Sequence, residues 1–115
     1  MKVIKHSDGD LNEVITDLID AGIDGLDPID PMGNMDMSAI KDLYGDKIVL
    51  KGNIDCVGTL ITGSLADVEN DVRKCIKNGA KGGAFIISSS NSIHKGINPQ
   101  NYLHMLQCIH DFGKY

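Results

Sequence analysis

Short apolar runs alternate along this chain with longer stretches whose apolar residues recur every three or four positions. The runs are residues 2–5, 23–26, 47–50 and 83–87. Their length and β-branched or aromatic content predict strands. Between the first two, Leu11, Val14, Ile15, Leu18 and Ile19 fall on one helical face, with Glu13, Asp17 and Asp20 covering the other. Asp10 is placed to cap that helix, and Gly22 to end it by entering the left-handed conformation. Asp36 or Ser38 caps a short second helix that runs through Tyr44 and stops at Gly45, and residues 56–62 allow one helical turn. Ser64 with Asp67 three residues on forms a capping box with a shorter acid. Leu65, Val68, Val72, Cys75 and Ile76 make the buried stripe of the helix that follows, which Asn78-Gly79 closes. Asn98-Pro99 starts the last helix, with Tyr102, Met105, Ile109 and Phe112 on one side, joined by Leu103 and Leu106.

A strand-helix order repeated four times demands a parallel α/β sheet, because each return crossing must pass over one face. Every predicted strand runs into a cluster of small polar or charged residues: His6-Ser7-Asp8-Gly9, Asp27-Pro28-Ile29-Asp30, Gly52-Asn53-Ile54-Asp55, and residues 88–94. Ligand chemistry collects at the carboxyl ends of parallel strands. Four units fit either an open doubly wound sheet or half of an eight-stranded barrel, which takes about 250 residues in full. A half barrel leaves sheet edges and inward strand faces uncovered, so it predicts association with a partner.

The 115 residues suffice for one domain, and 42% apolar with 23% charged is a globular balance. A net charge of -5 without a long basic stretch argues against nucleic acid. Lys2, Lys5, Lys51 and Lys95 still place positive charge near the strands, where an acidic ligand would meet it. No apolar run approaches the roughly 20 residues of a membrane span, and the N-terminus lacks a signal-peptide core, so the expectation is a cytoplasmic protein. Three widely spaced cysteines, Cys56, Cys75 and Cys108, fit that compartment and form no paired metal-ligand spacing.

The strand ends carry the candidate chemistry. His6 and Asp8 alternate out of the first strand and can share a face, as an acid/base or metal-binding pair or as a turn and a polar rim. Asp27 and Asp30 flank Pro28, as orienting carboxylates or as loop formers. Asn53 and Asp55 can hold a substrate amine or pyrrole N–H, or tie loops together. Ser90, Asn91 and the neighbouring serines offer hydroxyl and backbone donors to a carboxylate or phosphate. His94 is a candidate acid or substrate contact, or an exposed loop residue. No Gly-x-Ser-x-Gly element is present. Cys75, Cys108, His104 and His110 fall on helices and read as packing or surface residues, which leaves Cys56, just past a strand end, as the cysteine to test for reactivity.

The Gly-Asn-Ile-Asp strand end, a Gly-Gly-rich strand, a Ser/Asn loop and an Asn-Pro-x-Asn helix start occur here in order. This series resembles the C-terminal half of the uroporphyrinogen decarboxylase superfamily, which also includes cobalamin-dependent methyltransferases and whose fold is a (β/α)8 barrel. The resemblance implies that residues 1–115 form a single partial barrel domain. It implies a small-molecule substrate and a carboxy-lyase acting on tetrapyrrole acetate side chains in porphyrin biosynthesis. Such decarboxylation runs without a cofactor, a protonated pyrrole serving as electron sink. His6, Asp8 and His94 would then be catalytic, and Asp27, Asn53, Asp55, Ser90 and Asn91 substrate-binding. In the family decarboxylases a Gly-His-Gly loop follows the last strand; counted back from Pro99, Asn91 stands at that histidine's place and His94 a few residues later.

The alternative is corrinoid-dependent methyl transfer, with zinc and a corrinoid as cofactors. Those relatives carry His-x-Cys at the first of these strand ends. Here the place reads His6-Ser7-Asp8, and residues 88–94 hold no cysteine, so a metal would rest on His6 and Asp8. A third reading is a catalytically inert half barrel. Its partner would be a second copy or an N-terminal half, which in the family holds the main catalytic residues.

Overall fold

The computed structural model describes residues 1–114. Its order is β1 (Ile4–His6), α1 (Ile15–Asp20), β2 (Gly25–Asp27), α2 (Met37–Tyr44), β3 (Val49–Ile54), α3 (Thr59–Thr62), α4 (Leu65–Gly79), β4 (Phe85–Ser89) and α5 (Pro99–Phe112), with a 3-10 turn at Pro31–Gly33. The four strands form one sheet in the order β1-β2-β3-β4, and every neighbouring pair is parallel. This is the expected α/β fold of four parallel units, half of a (β/α)8 barrel.

Several elements start as the polar signals foretold. Asp36 accepts from the Ser38 and Ala39 amides at the head of α2, and Asn98 accepts from the Gln100 amide with Pro99 behind it. Ser64 and Asp67 exchange both bonds of the capping box on α4. Gly22 lies at φ 95°, as its helix-ending role requires. The first helix departs from expectation. Residues 11–14 form a turn, the α-helix begins at Ile15, and the Asp10 carboxylate binds Asn12 rather than capping it.

Strand ends also lie further on than the apolar runs suggested. Polar Gly52 and Asn53 belong to β3, and Ser88 and Ser89 to β4, because they pair with one another across the ladder: Gly52 with Ile87, Asn53 with Ser88, Ile54 with Ser89. Backbone pairing, not side-chain polarity, sets that length. Gly52 sits at φ 134°, and a Cβ there would collide with the Pro28 carbonyl, so only glycine fits.

Side chains alternate across the sheet. Leu26 and Leu50 pack under α1 and α2 with Ile15, Ile29, Ile40 and Ile48. Ile54 packs under α4 and α5 with Leu60, Val68, Val72, Cys75 and Met105. The other face carries Ile4, His6, Asp27, Val49, Lys51 and Ile86, and among the described residues no layer covers it: Ile4 is 50% and Ile86 45% exposed. Two residues of the expected α5 stripe, Leu103 and Leu106, are exposed as well. α5 packs on α4 and is the last helix of the layer, so its far side meets nothing among the described residues.

Candidate active site

Register builds the site. His6 pairs with Asp27, Leu26 with Leu50, and Lys51 with Ile86, so His6, Asp27 and Lys51 occupy one level on three adjacent strands. Strand spacing of about 4.8 Å puts their side chains within bonding reach. His6 Nδ1 lies 2.8 Å from Asp27 Oδ2, and Lys51 Nζ lies 2.8 Å from Asp27 Oδ1. A carboxylate only accepts, so the proton of this bond sits on His6 Nδ1, and Nε2 is turned away from Asp27. On that side Asp8 Oδ1 stands 3.6 Å from Nε2. Asn91 Nδ2 donates to both Asp8 oxygens at 3.1 Å, joining the β4 loop to the β1 loop across 83 positions of sequence.

Asp27 anchors this chain of contacts. Its side chain is 11% exposed, against 32% for Lys51 and 49% for His6. A cavity of about 200 Å³ lies over the row, bounded by His6, Asp27, Lys51 and the 88–92 loop. The arrangement can polarise an imidazole, present a lysine cation to an anionic group, and offer serine hydroxyls beside both.

His6, Asp8, Asp27, Ser90 and Asn91 thus gather at one rim, although the Ser90 hydroxyl is turned inward and donates to Cys56 Sγ at 3.2 Å. Asn53 and Asp55 are engaged elsewhere. Asn53 breaks the strand alternation, donates to the Ile29 carbonyl at 3.0 Å and lies against Cys75. Asp55 accepts from the Val57 and Gly58 amides and so caps the turn before α3. Asp30 caps the 3-10 turn and accepts from the Gly9 amide at 2.9 Å. His94 is exposed, accepts from the Gly96 amide and does not line the cavity. Lys51 is the residue that the sequence marked only as one of four lysines near the strands, without placing it among the candidate site residues. Its signal was present: it alternates with Leu50, whose apolar side chain belongs to the helix face.

Behind the rim a second polar network stiffens β3. Cys75 Sγ donates to the Gly52 carbonyl at 3.3 Å, and the Asn53 amide donates to Cys75 Sγ at 3.2 Å. Burial pushes the Cys75 thiol up to about 12, with the Asp71 charge adding to it. Asp71 accepts from the Asp55 amide at 2.9 Å, and burial raises its carboxyl above the ordinary aspartate value despite that bond. All three cysteines are buried.

The family profile described as uroporphyrinogen decarboxylase (URO-D) matches residues 1–112. The chain belongs to the uroporphyrinogen decarboxylase family. It is 26% identical over 91 residues to a uroporphyrinogen decarboxylase of Colwellia psychrerythraea, a match covering 78% of this chain and 25% of that one. It is 25% identical over 98 residues to the uroporphyrinogen decarboxylase of Methylococcus capsulatus, covering 84% and 26%. A methyltransferase from Methanosarcina mazei shares the fold, with a TM-score of 0.81 at 18% identity over 98% of this chain and 32% of that one. The chain therefore spans about a quarter of the length of its curated relatives. Among the described residues, no helix of this uroporphyrinogen decarboxylase family chain is long and apolar enough to cross a membrane.

Proposed function

We propose that the rim is part of a carboxy-lyase site that removes carboxyl groups from acetate side chains of a tetrapyrrole. The observation that carries this reading is the Asp27 carboxylate bridging His6 and Lys51 at 2.8 Å each, beside a serine-lined cavity. Loss of carbon dioxide from such a side chain breaks one carbon–carbon bond and sends its electron pair into a protonated pyrrole. The resulting exocyclic methylene must then take a proton to become methyl, and the ring gives back the proton it carried, which restores the aromatic pyrrole. Protonated at Nε2, His6 supplies that proton, and Asp27 holds the ring through Nδ1–H in either state. Lys51 and Ser88, Ser89 and Ser92 beside it receive the remaining acid arms. Asp8, held by Asn91, stabilises the cationic pyrrole as charge develops.

The donor set at this rim argues against a thiol-activating zinc. Sulfur and nitrogen ligands suit such a site, and none of the buried Cys56, Cys75 and Cys108 lines the cavity. With Asp27 committed to Nδ1, only His6 Nε2 and Asp8 are left to bind metal there. Corrinoid-linked methyl transfer is accordingly the weaker reading.

We further propose that activity requires more strands to cover the open inner face, from an N-terminal half or a second copy. The test is anaerobic incubation with uroporphyrinogen, of the chain alone and mixed with the N-terminal half of a curated relative. Products with fewer carboxyl groups, formed by the wild type and suppressed in His6→Gln, support the reading. Their absence in both mixtures, with the chain folded and complexed, overturns it.

A further inference from the structure

A different cluster lies on the outer, helical layer, away from the rim. Glu69 on α4 and His104 and Cys108 on α5 bring one ligand atom each to within 4.8 Å of one another. His104 and Cys108 are four residues apart, so one helical turn stacks them on the same face. Cys108 Sγ lies 3.5 Å from His104 Nε2. Tetrahedral zinc, with Zn–S of about 2.3 Å and Zn–N of about 2.05 Å, requires an S···N edge of about 3.5 Å. The observed pair already has that edge. Glu69 approaches from the facing helix, whose packing against α5 fixes the third corner.

The surroundings are arranged as a ligand's support would be. Arg73 Nε donates to Glu69 Oε1 at 2.8 Å, which occupies one carboxylate oxygen and sets the orientation of the other. Arg73 is itself fixed, its guanidinium lying 3.6 Å from the centroid of the Phe112 ring. Cys108 is buried, while Glu69 and His104 are only half-buried and leave a path for an ion. Histidine, thiolate and carboxylate together suit zinc and cobalt and are poor for magnesium or calcium.

We propose that Glu69, His104 and Cys108 form a three-ligand site for a zinc-class divalent cation on the α4–α5 surface. The fourth coordination position is open to water or an external donor. Binding ties α4 to α5 at the end of the helical layer, and the ion displaces the Cys108 thiol proton to solvent.

Cobalt(II) alone is the probe, added to the reduced chain. The expected result is one equivalent bound, with a thiolate-to-cobalt charge-transfer band that zinc abolishes by displacement. Cys108→Ser should remove the band. His104→Gln, at a half-buried position that leaves the packing thiol in place, should weaken binding at least about tenfold. His6→Gln, Cys56→Ser and Cys75→Ser should leave the band as it is, which separates this site from the rim. No charge-transfer band in the wild type overturns the proposal. So does a band that survives Cys108→Ser, or an affinity that His104→Gln does not change.

Discussion

Asp27→Asn is the substitution that tests the charge row most directly. It keeps the shape of the side chain and removes its charge. The native carboxylate accepts from His6 and from Lys51, each at 2.8 Å. An amide keeps the Lys51 bond only without its charge, and it keeps the His6 bond only if Nδ1 gives up its proton. If its oxygen faces Lys51, its NH2 must face His6, which then switches tautomer; the reverse placement sets two donors against each other. A hydrogen bond to a charged group contributes about 1.5–3 kcal/mol. Lys51 is about a third exposed, so water screens part of its attraction and about 1–2 kcal/mol is the expected loss. For a chain of this size that lowers Tm by about 4–8 °C.

The coupling is isolated by a double-mutant cycle of Asp27→Asn with Lys51→Met, read by urea unfolding at neutral pH. A coupling of about 1–2 kcal/mol is expected, and it should shrink in high salt. Effects that add to within about 0.3 kcal/mol would mean that the pair is an uncoupled surface contact, and the reasoning about the row would fall.

Other consequences can be checked independently. Asn101 is buried and donates to the Gly63 carbonyl at 2.8 Å and the Thr59 carbonyl at 3.2 Å, closing the end of α3; Asn101→Ala should cost about 1–3 kcal/mol in denaturant unfolding, and a neutral outcome would show that water replaces it. With its pKa pushed up to about 12, Cys75 should alkylate at pH 8 roughly a thousandfold more slowly than a free thiol, and mass mapping of a label at ordinary speed would contradict its burial. Asp71 has a raised folded pKa, so the folded state holds the proton more tightly than the unfolded one. Its contribution is full below the unfolded value of 3.8 and is lost as pH rises through the folded value. Asp71→Asn should therefore lose less stability than the wild type between pH 4 and pH 7; an equal or greater loss would refute the assignment.

The fold was legible where local signals and tertiary demands agree. On α4 the apolar stripe, the Ser64 cap and the Asp67 box all specify one helix, and the structure contains it. Strand limits were less legible, because Ser88 and Ser89 owe their extended backbone to Asn53 and Ile54 on the neighbouring strand. Asn101 gave no sign that it would be buried; the carbonyls that satisfy it come from some 40 residues earlier. At the site, polar residues past each strand marked the rim and several of its members, His6, Asp8, Asp27 and Asn91 among them, but not all. Asn53 and Asp55 look like Asp8 and Asn91 in sequence, and only three-dimensional packing turned them toward Ile29 and the amides before α3. The helix spacing of His104 and Cys108 was readable, whereas Glu69 joins them only because α4 packs on α5.

Polarity on the inner face is graded along the strands, and that gradient connects fold to chemistry. Ile4 and Val49 are apolar and face away from the helices, and His6, Asp27 and Lys51 follow one level on, with Ile86 ending their row on β4 and the serines beyond it. An apolar layer of this kind favours being covered, and the polar end then becomes the mouth of an enclosed space. Covering would also alter the electrostatics. Lys51 is now 32% exposed, so water weakens its ion pair with Asp27. Two unit charges 4 Å apart attract by about 1 kcal/mol in water and about 4 kcal/mol at an effective dielectric near 20. The same row, moved under further strands without a change of geometry, would gain several-fold in coupling. Its lysine would then attract a substrate carboxylate far more strongly than it does on the open sheet.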